Sequence, residues 1–228
     1  MDDYYPEIRE LVVDKLGGPS VVKQAIIFDR TIRSRERKGK GEKESNGENI
    51  GGYANGAHND YSALSAKNRV RLLAATKENC GSVTLAEPPL RAKETENIAN
   101  GHFGIFNVWR HFRADYPVLD YPLAVVDAQS IKPEDFLVAQ YIYLNRVDEV
   151  IRMLGDDAHK CYYYSEMRHD EALIFKVFDS SSELGLCTAN DCPPHTAHTS
   201  FKLEQADERT ASRESIECHV LVEFTASA

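Results

Sequence analysis

The sequence predicts a mainly β fold, a β-sandwich or small barrel with flanking helices, and three observations carry that reading. Beyond Pro88-Pro89 the chain turns to short apolar runs separated by turn residues, at 103–109, 121–126, 136–144, 172–178 and 216–224. In the last run Ile216, Cys218, Val220, Val222 and Phe224 alternate with Glu217, His219, Leu221 and Glu223, the period of two expected of a strand with one partly polar face. Helical patterns fall mostly in the N-terminal half. No glycine pattern of the dinucleotide- or phosphate-binding kind sits between a strand and a helix.

In chain order, Tyr5, Ile8, Leu11, Val12 and Leu16 recur at helical spacing, with Pro6 suited to a first turn and Gly17-Gly18 to a stop. The β-branched content of Val21, Val22, Ala25, Ile26, Ile27 and Phe28 predicts a buried strand over 21–33. Residues 30–43 hold seven basic and two acidic side chains and run into Gly39, Gly41, Ser45, Asn46, Gly47, Gly51 and Gly52, which reads as a solvated loop. Residues 63–76 look helical. Trp109, the only tryptophan, is expected in the core. A chain of 228 residues suits one domain, 1–228, around one core.

Charge and composition narrow the function. Lys plus Arg number 27 against 36 Asp plus Glu, a formal charge of -9, which disfavours a nucleic-acid partner because phosphate neutralisation needs a basic surface. A small molecule or a protein fits better. No apolar run approaches the roughly 20 residues that span a bilayer, and Met1-Asp2-Asp3 lacks the basic-then-apolar order of a signal peptide. The expectation is a cytoplasmic protein with no membrane contact. Cys80, Cys161, Cys187, Cys192 and Cys218 contain no Cys-x-x-Cys pair and read as reduced thiols.

Chemistry concentrates at three places. In His58-Asn59-Asp60 an extended backbone points the imidazole and the carboxylate to the same side, supplying two adjacent ligand positions. Far downstream, 193–198 reads Pro-Pro-His-Thr-Ala-His, so that a distal histidine can complete a two-His, one-carboxylate triad; such a triad binds Fe(II) and leaves three positions open. Arg213-Glu214-Ser215 opens the last strand. The co-substrate 2-oxoglutarate chelates iron through its keto acid end, and a planar Arg fork with a Ser hydroxyl suits its far carboxylate. His102, His111, His159, His169 and His219 need no special role.

Eight ordered segments then resemble the fungal and bacterial hydroxylase/desaturase family: Tyr4-Tyr5-Pro6-Glu7, Ile26-Ile27-Phe28-Asp29, Ala57-His58-Asn59-Asp60-Tyr61, Asn107-Val108-Trp109-Arg110, Pro122-Leu123-Ala124-Val125-Val126-Asp127-Ala128, the EALIFKVFDS of residues 171–180, Pro194-His195-Thr196-Ala197 and Arg213-Glu214-Ser215-Ile216-Glu217. The resemblance spans nearly the whole chain. It implies a double-stranded β-helix (cupin-like jelly roll) and Fe(II)- and 2-oxoglutarate-dependent hydroxylation or desaturation of a small specialised metabolite, with dioxygen. It gives the metal positions to His58, Asp60 and His195, and the co-substrate positions to Arg213 and Ser215. His195 is preferred to His198 because it holds the motif position and follows two prolines that fix its backbone. Since Arg213 already serves the co-substrate, Arg110 is free to clamp a carboxylate on the substrate, against the alternative of a structural ion pair.

This chain departs from the family at Cys161, His111, His198 and His219, and it begins at a motif that other members precede with a further segment, so a short or truncated member is expected. Lys176, Asp179 and Ser180 are expected either to pair with neighbours or to support the pocket. Two rival readings are a non-catalytic binding or partner protein of the same shape and a zinc hydrolase using the same ligands, which leaves Arg213 and Ser215 without a task.

Overall fold

Helix α1 (Tyr4–Lys15) forms where Tyr5, Ile8 and Val12 line one buried face, and it stops at Gly17 and Gly18. Both glycines have φ in the left-handed region, at 106° and 78°, and the amide of Gly18 closes the end by donating to the Val13 carbonyl at 2.8 Å. This computed structural model describes residues 3–43, 49–74, 90–142, 147–181, 183, 195–207 and 209–225. Cys80, Cys187, Cys192, Pro88-Pro89, Pro193-Pro194 and the segment 45–47 lie outside them.

After α1 come β1 (Val22–Ser34), α2 (Arg35–Gly39), β2 (His58–Asn59), α3 (Ala63–Leu72), α4 (Ala92–Asn100), β3 (Phe103–His111), β4 (Leu123–Val126), β5 (Phe136–Ile142), β6 (Val147–Met153), β7 (Cys161–Tyr163), β8 (Leu173–Asp179), β9 (His198–Ser200) and β10 (Glu214–Phe224). They make a four-stranded sheet in the order β1-β10-β3-β8 and a six-stranded sheet in the order β5-β6-β2-β9-β4-β7, and the paired strands run antiparallel.

The four-stranded sheet is buried on both faces. Its inner face, with Ile26, Phe28, Phe103, Ile105, Trp109, Phe175, Val177 and Leu221, shares a core with Leu123 of β4 and with Ala66, Val70, Leu73, Ile98 and Ala99 from the α3–α4 side. Its outer face, with Ile27, Val108, Ile216, Cys218 and Val220, is covered by Ile8 and Val12 of α1. Strand β10 alternates as the sequence predicts, but its polar positions do not face solvent. Ser215 and Glu217 are buried on the inner face, which opens at that end of the sheet into a cavity between the sheets, while Glu214, on the other face, is buried against Arg37 and Arg113 at 3.9 and 3.6 Å.

Two expectations change locally. Within the stretch expected as a loop, β1 runs on to Ser34, pairing with Glu214, and Ser34 Oγ then caps α2 by accepting from the Arg37 amide at 3.2 Å. Of the helix expected over 63–76, α3 accounts for Ala63–Leu72, and 75–76 lie outside the described residues. Cys218 is buried and Cys161 exposed. Among the described residues no helix is long and apolar enough to cross a membrane.

Candidate metal centre and anion pocket

Strand β2 is only two residues long, yet it joins the halves of the larger sheet by pairing with β6 on one side and β9 on the other. Through the second pairing His58 lies directly opposite His198, so the two side chains share a face and their rings stand 4.5 Å apart. The Nδ1–H of His58 donates to the Gly56 carbonyl at 2.7 Å, and that of His198 to the Thr196 carbonyl at 3.1 Å. A carbonyl can only accept, so each bond fixes the tautomer and leaves Nε2 as the free lone pair. Both Nε2 atoms face Asp60, at 3.6 Å from Oδ1 for His58 and 3.9 Å from Oδ2 for His198. One ligand atom from each of His58, Asp60 and His198 lies within 4.8 Å of the others.

The surroundings favour the ligand forms. Burial, with His198 as the next cause, pulls the pKa of His58 below the ordinary imidazole value, keeping the ring neutral. Burial opposes ionisation of Asp60, but His198, His219, His58 and the Asn107 amide outweigh it and hold the carboxyl at about 2. Asn107 Nδ2 donates to Asp60 Oδ2 at 2.7 Å from the facing sheet, which orients the carboxylate. Beside Asn107, His219 occupies the paired position on β10, 3.4 Å from Glu217 and 3.3 Å from the Tyr61 hydroxyl. Burial lowers the His219 pKa, but Glu217 and Asp60 raise it further, and its net direction is upward.

His195 is placed differently from its expected role. Its ring packs edge-on against Phe136, with centroids 5.2 Å apart, and its buried Nδ1 has no hydrogen-bond partner. The imidazole brought to His58 and Asp60 is that of His198, three residues on, where β9 begins and cross-strand pairing dictates the side-chain direction.

A cavity beside the triad is lined by His58, His198, Trp109, Leu123, Arg33, Arg213 and Glu217, among others. Arg213 is 1% exposed. Its guanidinium lies over the Tyr53 ring at 4.3 Å and the Trp109 ring at 5.4 Å, and its Nη1 donates to the Tyr121 carbonyl. Tyr121 itself has φ 49°, a conformation uncommon outside glycine. Among the described residues no carboxylate comes within 4.0 Å of Arg213, and both its Nε and the buried Ser215 Oγ lack hydrogen-bond partners. Burial and the nearby Arg33 pull the Arg213 pKa down to about 10, still high enough to keep the charge at neutral pH. A buried guanidinium with unspent donors is costly unless an anion joins it. The donor set therefore fits both groups that the sequence suggests: two imidazoles and a carboxylate for Fe(II), and Arg213 with Ser215 for a carboxylate.

Arg110 lies elsewhere. It follows Trp109 on β3, so its side chain leaves the opposite face of the sheet, where it bonds the His169 carbonyl and stacks over Tyr4 of α1 at 5.5 Å. That placement separates it from the triad by the thickness of the sheet, away from the substrate clamp expected of it. Lys176, Asp179 and Ser180 pair with neighbours: Asp179 meets Lys176 and His102, each at 3.2 Å, and Ser180 Oγ bonds Gly101 and Phe103 backbone atoms. Arg33, Asn107 and Glu217 lie at the site although the sequence reading gave none of them a role, even where Asn107 and Glu217 fell within quoted motifs. Their signal was positional, since Glu217 lies two residues from Ser215 on an alternating strand.

The chain is 31% identical over 135 residues to the Fe(II)/2-oxoglutarate-dependent dioxygenase nvfI of Aspergillus novofumigatus (strain IBT 16806), a match covering 58% of this chain and 45% of that protein. It is 28% identical over 148 residues to the hydroxylase/desaturase asaB of Aspergillus flavus, covering 59% and 61%. The chain thus spans about half the length of these curated relatives. Among solved structures, the iron and alpha-ketoglutarate-dependent endoperoxidase NvfI in a different conformation superposes with a TM-score of 0.70 at 26% identity, over 99% of this chain and 68% of that one. The two antiparallel sheets are thus those of a jelly roll, the double-stranded β-helix that the sequence resemblance implies. The model of a family described as an oxidoreductase/YMDC permease-like domain matches residues 1–223, and the chain belongs to that family.

Proposed function

We propose that the chain is a non-haem Fe(II)- and 2-oxoglutarate-dependent oxygenase that hydroxylates or desaturates a small specialised metabolite. One observation carries the reading: beside a His58–Asp60–His198 triad lies a cavity with a buried Arg213 that no described carboxylate approaches within 4.0 Å. The names of the relatives, dioxygenase and hydroxylase/desaturase, support it. When bound, iron and 2-oxoglutarate supply the oxidation with dioxygen, yielding succinate and carbon dioxide.

The protein's own part is placement. His58, Asp60 and His198 would hold the metal, and Asn107 orients the Asp60 carboxylate. Arg213 and Ser215 receive the far carboxylate of the co-substrate, and Trp109 and Leu123 wall the cavity against water. Arg110 ties β3 to α1 and the 169 carbonyl, a structural task. A zinc hydrolase would use the same three ligands but leaves the Arg213 charge without a purpose.

The test is release of succinate from 2-oxoglutarate by the purified chain under air with Fe(II), compared with metal-free protein and with His58→Ala. Metal-dependent succinate that disappears in the variant is the expected outcome. Wild-type protein that binds Fe(II) and 2-oxoglutarate yet yields no succinate with a broad panel of metabolites supports the non-catalytic reading instead.

A further inference from the structure

The cavity beside the triad holds two guanidinium groups. Arg33 lies near the end of β1 and pairs in register with Ser215 of β10, so its side chain enters the same face as Ser215. It lines the cavity with Arg213, His58 and His198. Its Nη1 donates to the Gly52 carbonyl at 2.8 Å, and a Cβ added at Gly51 would stand 3.4 Å from that same nitrogen, so the 51–52 backbone closes tightly over the guanidinium. Among the described residues Arg33 has no carboxylate within 4.0 Å, and neither has Arg213. The one carboxylate in the cavity lining, Glu217, is engaged with His219 at 3.4 Å.

Two cations facing one cavity repel each other. The fold offsets that repulsion only at a distance, through Glu217 and Asp120, and places no described carboxylate within 4.0 Å of either guanidinium. It spreads the Arg213 charge over aromatic faces instead, in a column running Arg35, Tyr121, Tyr53, Arg213, Trp109, with successive separations of 4.3, 4.8, 4.3 and 5.4 Å. A column of this kind holds the Arg213 guanidinium plane in place while its Nε stays without a protein partner, which leaves donor capacity for a carboxylate.

We propose that Arg33 is a specificity-determining residue of the co-substrate site, completing with Arg213 a two-guanidinium socket that selects a 2-oxo acid carrying a second carboxylate over one that lacks it. The proposal rests on the oxygenase reading for the identity of the ligand. Arg213 supplies the buried charge and Arg33 the second one. A 2-oxo acid without the far carboxylate leaves both unpaired.

The experiment measures anaerobic binding of 2-oxoglutarate and of 2-oxopentanoate, the same chain length without the second carboxylate, to Fe(II)-loaded wild type, Arg33→Gln and Arg33→Lys. The expected result is a wild-type preference for 2-oxoglutarate that falls about tenfold in Arg33→Gln, through weaker 2-oxoglutarate binding alone, with an intermediate value in Arg33→Lys. Iron content stays unchanged. Equal affinities of wild type and both variants for 2-oxoglutarate overturn the proposal, as does an equal loss for both ligands, which marks a purely structural arginine. Should Arg33→Gln fail to fold, the Lys variant decides by the same comparison. If wild type forms no metal-dependent complex with either acid, the oxygenase reading falls, and metal-free protein with glutarate then decides the socket. Thermal stabilisation of wild type by glutarate that is lost in the Arg33 variants retains it, and no stabilisation of wild type removes it.

Discussion

His58 and His198 each give Nδ1 to a backbone carbonyl, so their remaining lone pairs are committed to the side where Asp60 lies, and protons are the natural competitors for those lone pairs. Because the His58 pKa lies below the ordinary imidazole value, metal affinity is expected to hold roughly constant as pH falls to about 6.5 and to drop only in more acidic solution. Fe(II) or Mn(II) titrations across that range check this; a loss beginning well above pH 7 contradicts it. Arg213→Ala removes the charge-assisted contact to the far carboxylate, commonly worth about 1.5 to 3 kcal/mol, and is expected to weaken 2-oxoglutarate binding roughly tenfold to hundredfold while leaving metal binding intact. At this scale the sequence displayed His58, Asp60, Arg213 and Ser215, because each sits in a short pattern whose spacing has chemical meaning. It favoured His195 over His198, on motif position and the two prolines before it. Both fit the distal spacing, and what favours His198 is its position opposite His58 in the one register pair that joins β2 to β9, a long-range pairing that no local pattern announces.

Asp60 lies between the end of β2 and the start of α3, and the cap of α3 sets where the chain turns. Ser62 Oγ accepts from the Ser65 amide at 3.1 Å, the Ser62 amide donates to Ser65 Oγ at 2.8 Å, and Ser62 Oγ also donates to Glu149 of β6 at 2.6 Å. Ser62→Ala removes the two bonds made by the Ser62 hydroxyl and is expected to cost about 1 to 2 kcal/mol in denaturant unfolding, together with a measurable loss of metal affinity, because the cap fixes the backbone two residues from a ligand. Unchanged metal affinity at reduced stability would show that Asp60 is held by Asn107 alone. The long elements were legible: α1 with its glycine stop, β1 with its β-branched run and β10 with its alternation all stand close to where periodicity put them. The short ones that build the site were not. β2 and β9 are two and three residues long, too brief for any period, and they exist because neighbouring strands supply their hydrogen bonds.

The whole molecule separates stability from chemistry across the four-stranded sheet. Its outer face is packed against α1, and its inner face carries the cavity, so a defect on one side is expected to leave the other intact. Ile8, 2% exposed, belongs to the outer cluster, and Ile8→Ala is expected to lower unfolding free energy by about 2 to 5 kcal/mol, while metal and 2-oxoglutarate affinities measured on the remaining folded protein stay at wild-type values. Arg110→Lys belongs with Ile8→Ala: it loses the bond to the His169 carbonyl and part of the stacking on Tyr4, and is expected to reduce stability without changing 2-oxoglutarate affinity. Altered 2-oxoglutarate affinity in either variant would mean that the two faces are coupled. Fold class was readable from many short apolar runs. The assignment of Arg110 was not, because the choice of sheet face turns on a one-residue alternation whose direction only the packed core reveals.

The most direct measurement of the central claim is anaerobic Fe(II) titration, with 2-oxoglutarate present, into wild type, His195→Ala and His198→Ala, following iron stoichiometry and the metal-to-ligand charge-transfer absorption. The structure leads us to expect one iron per chain and the absorption in wild type and in His195→Ala, and loss of both in His198→Ala. Iron and absorption kept by His198→Ala and lost by His195→Ala contradict it.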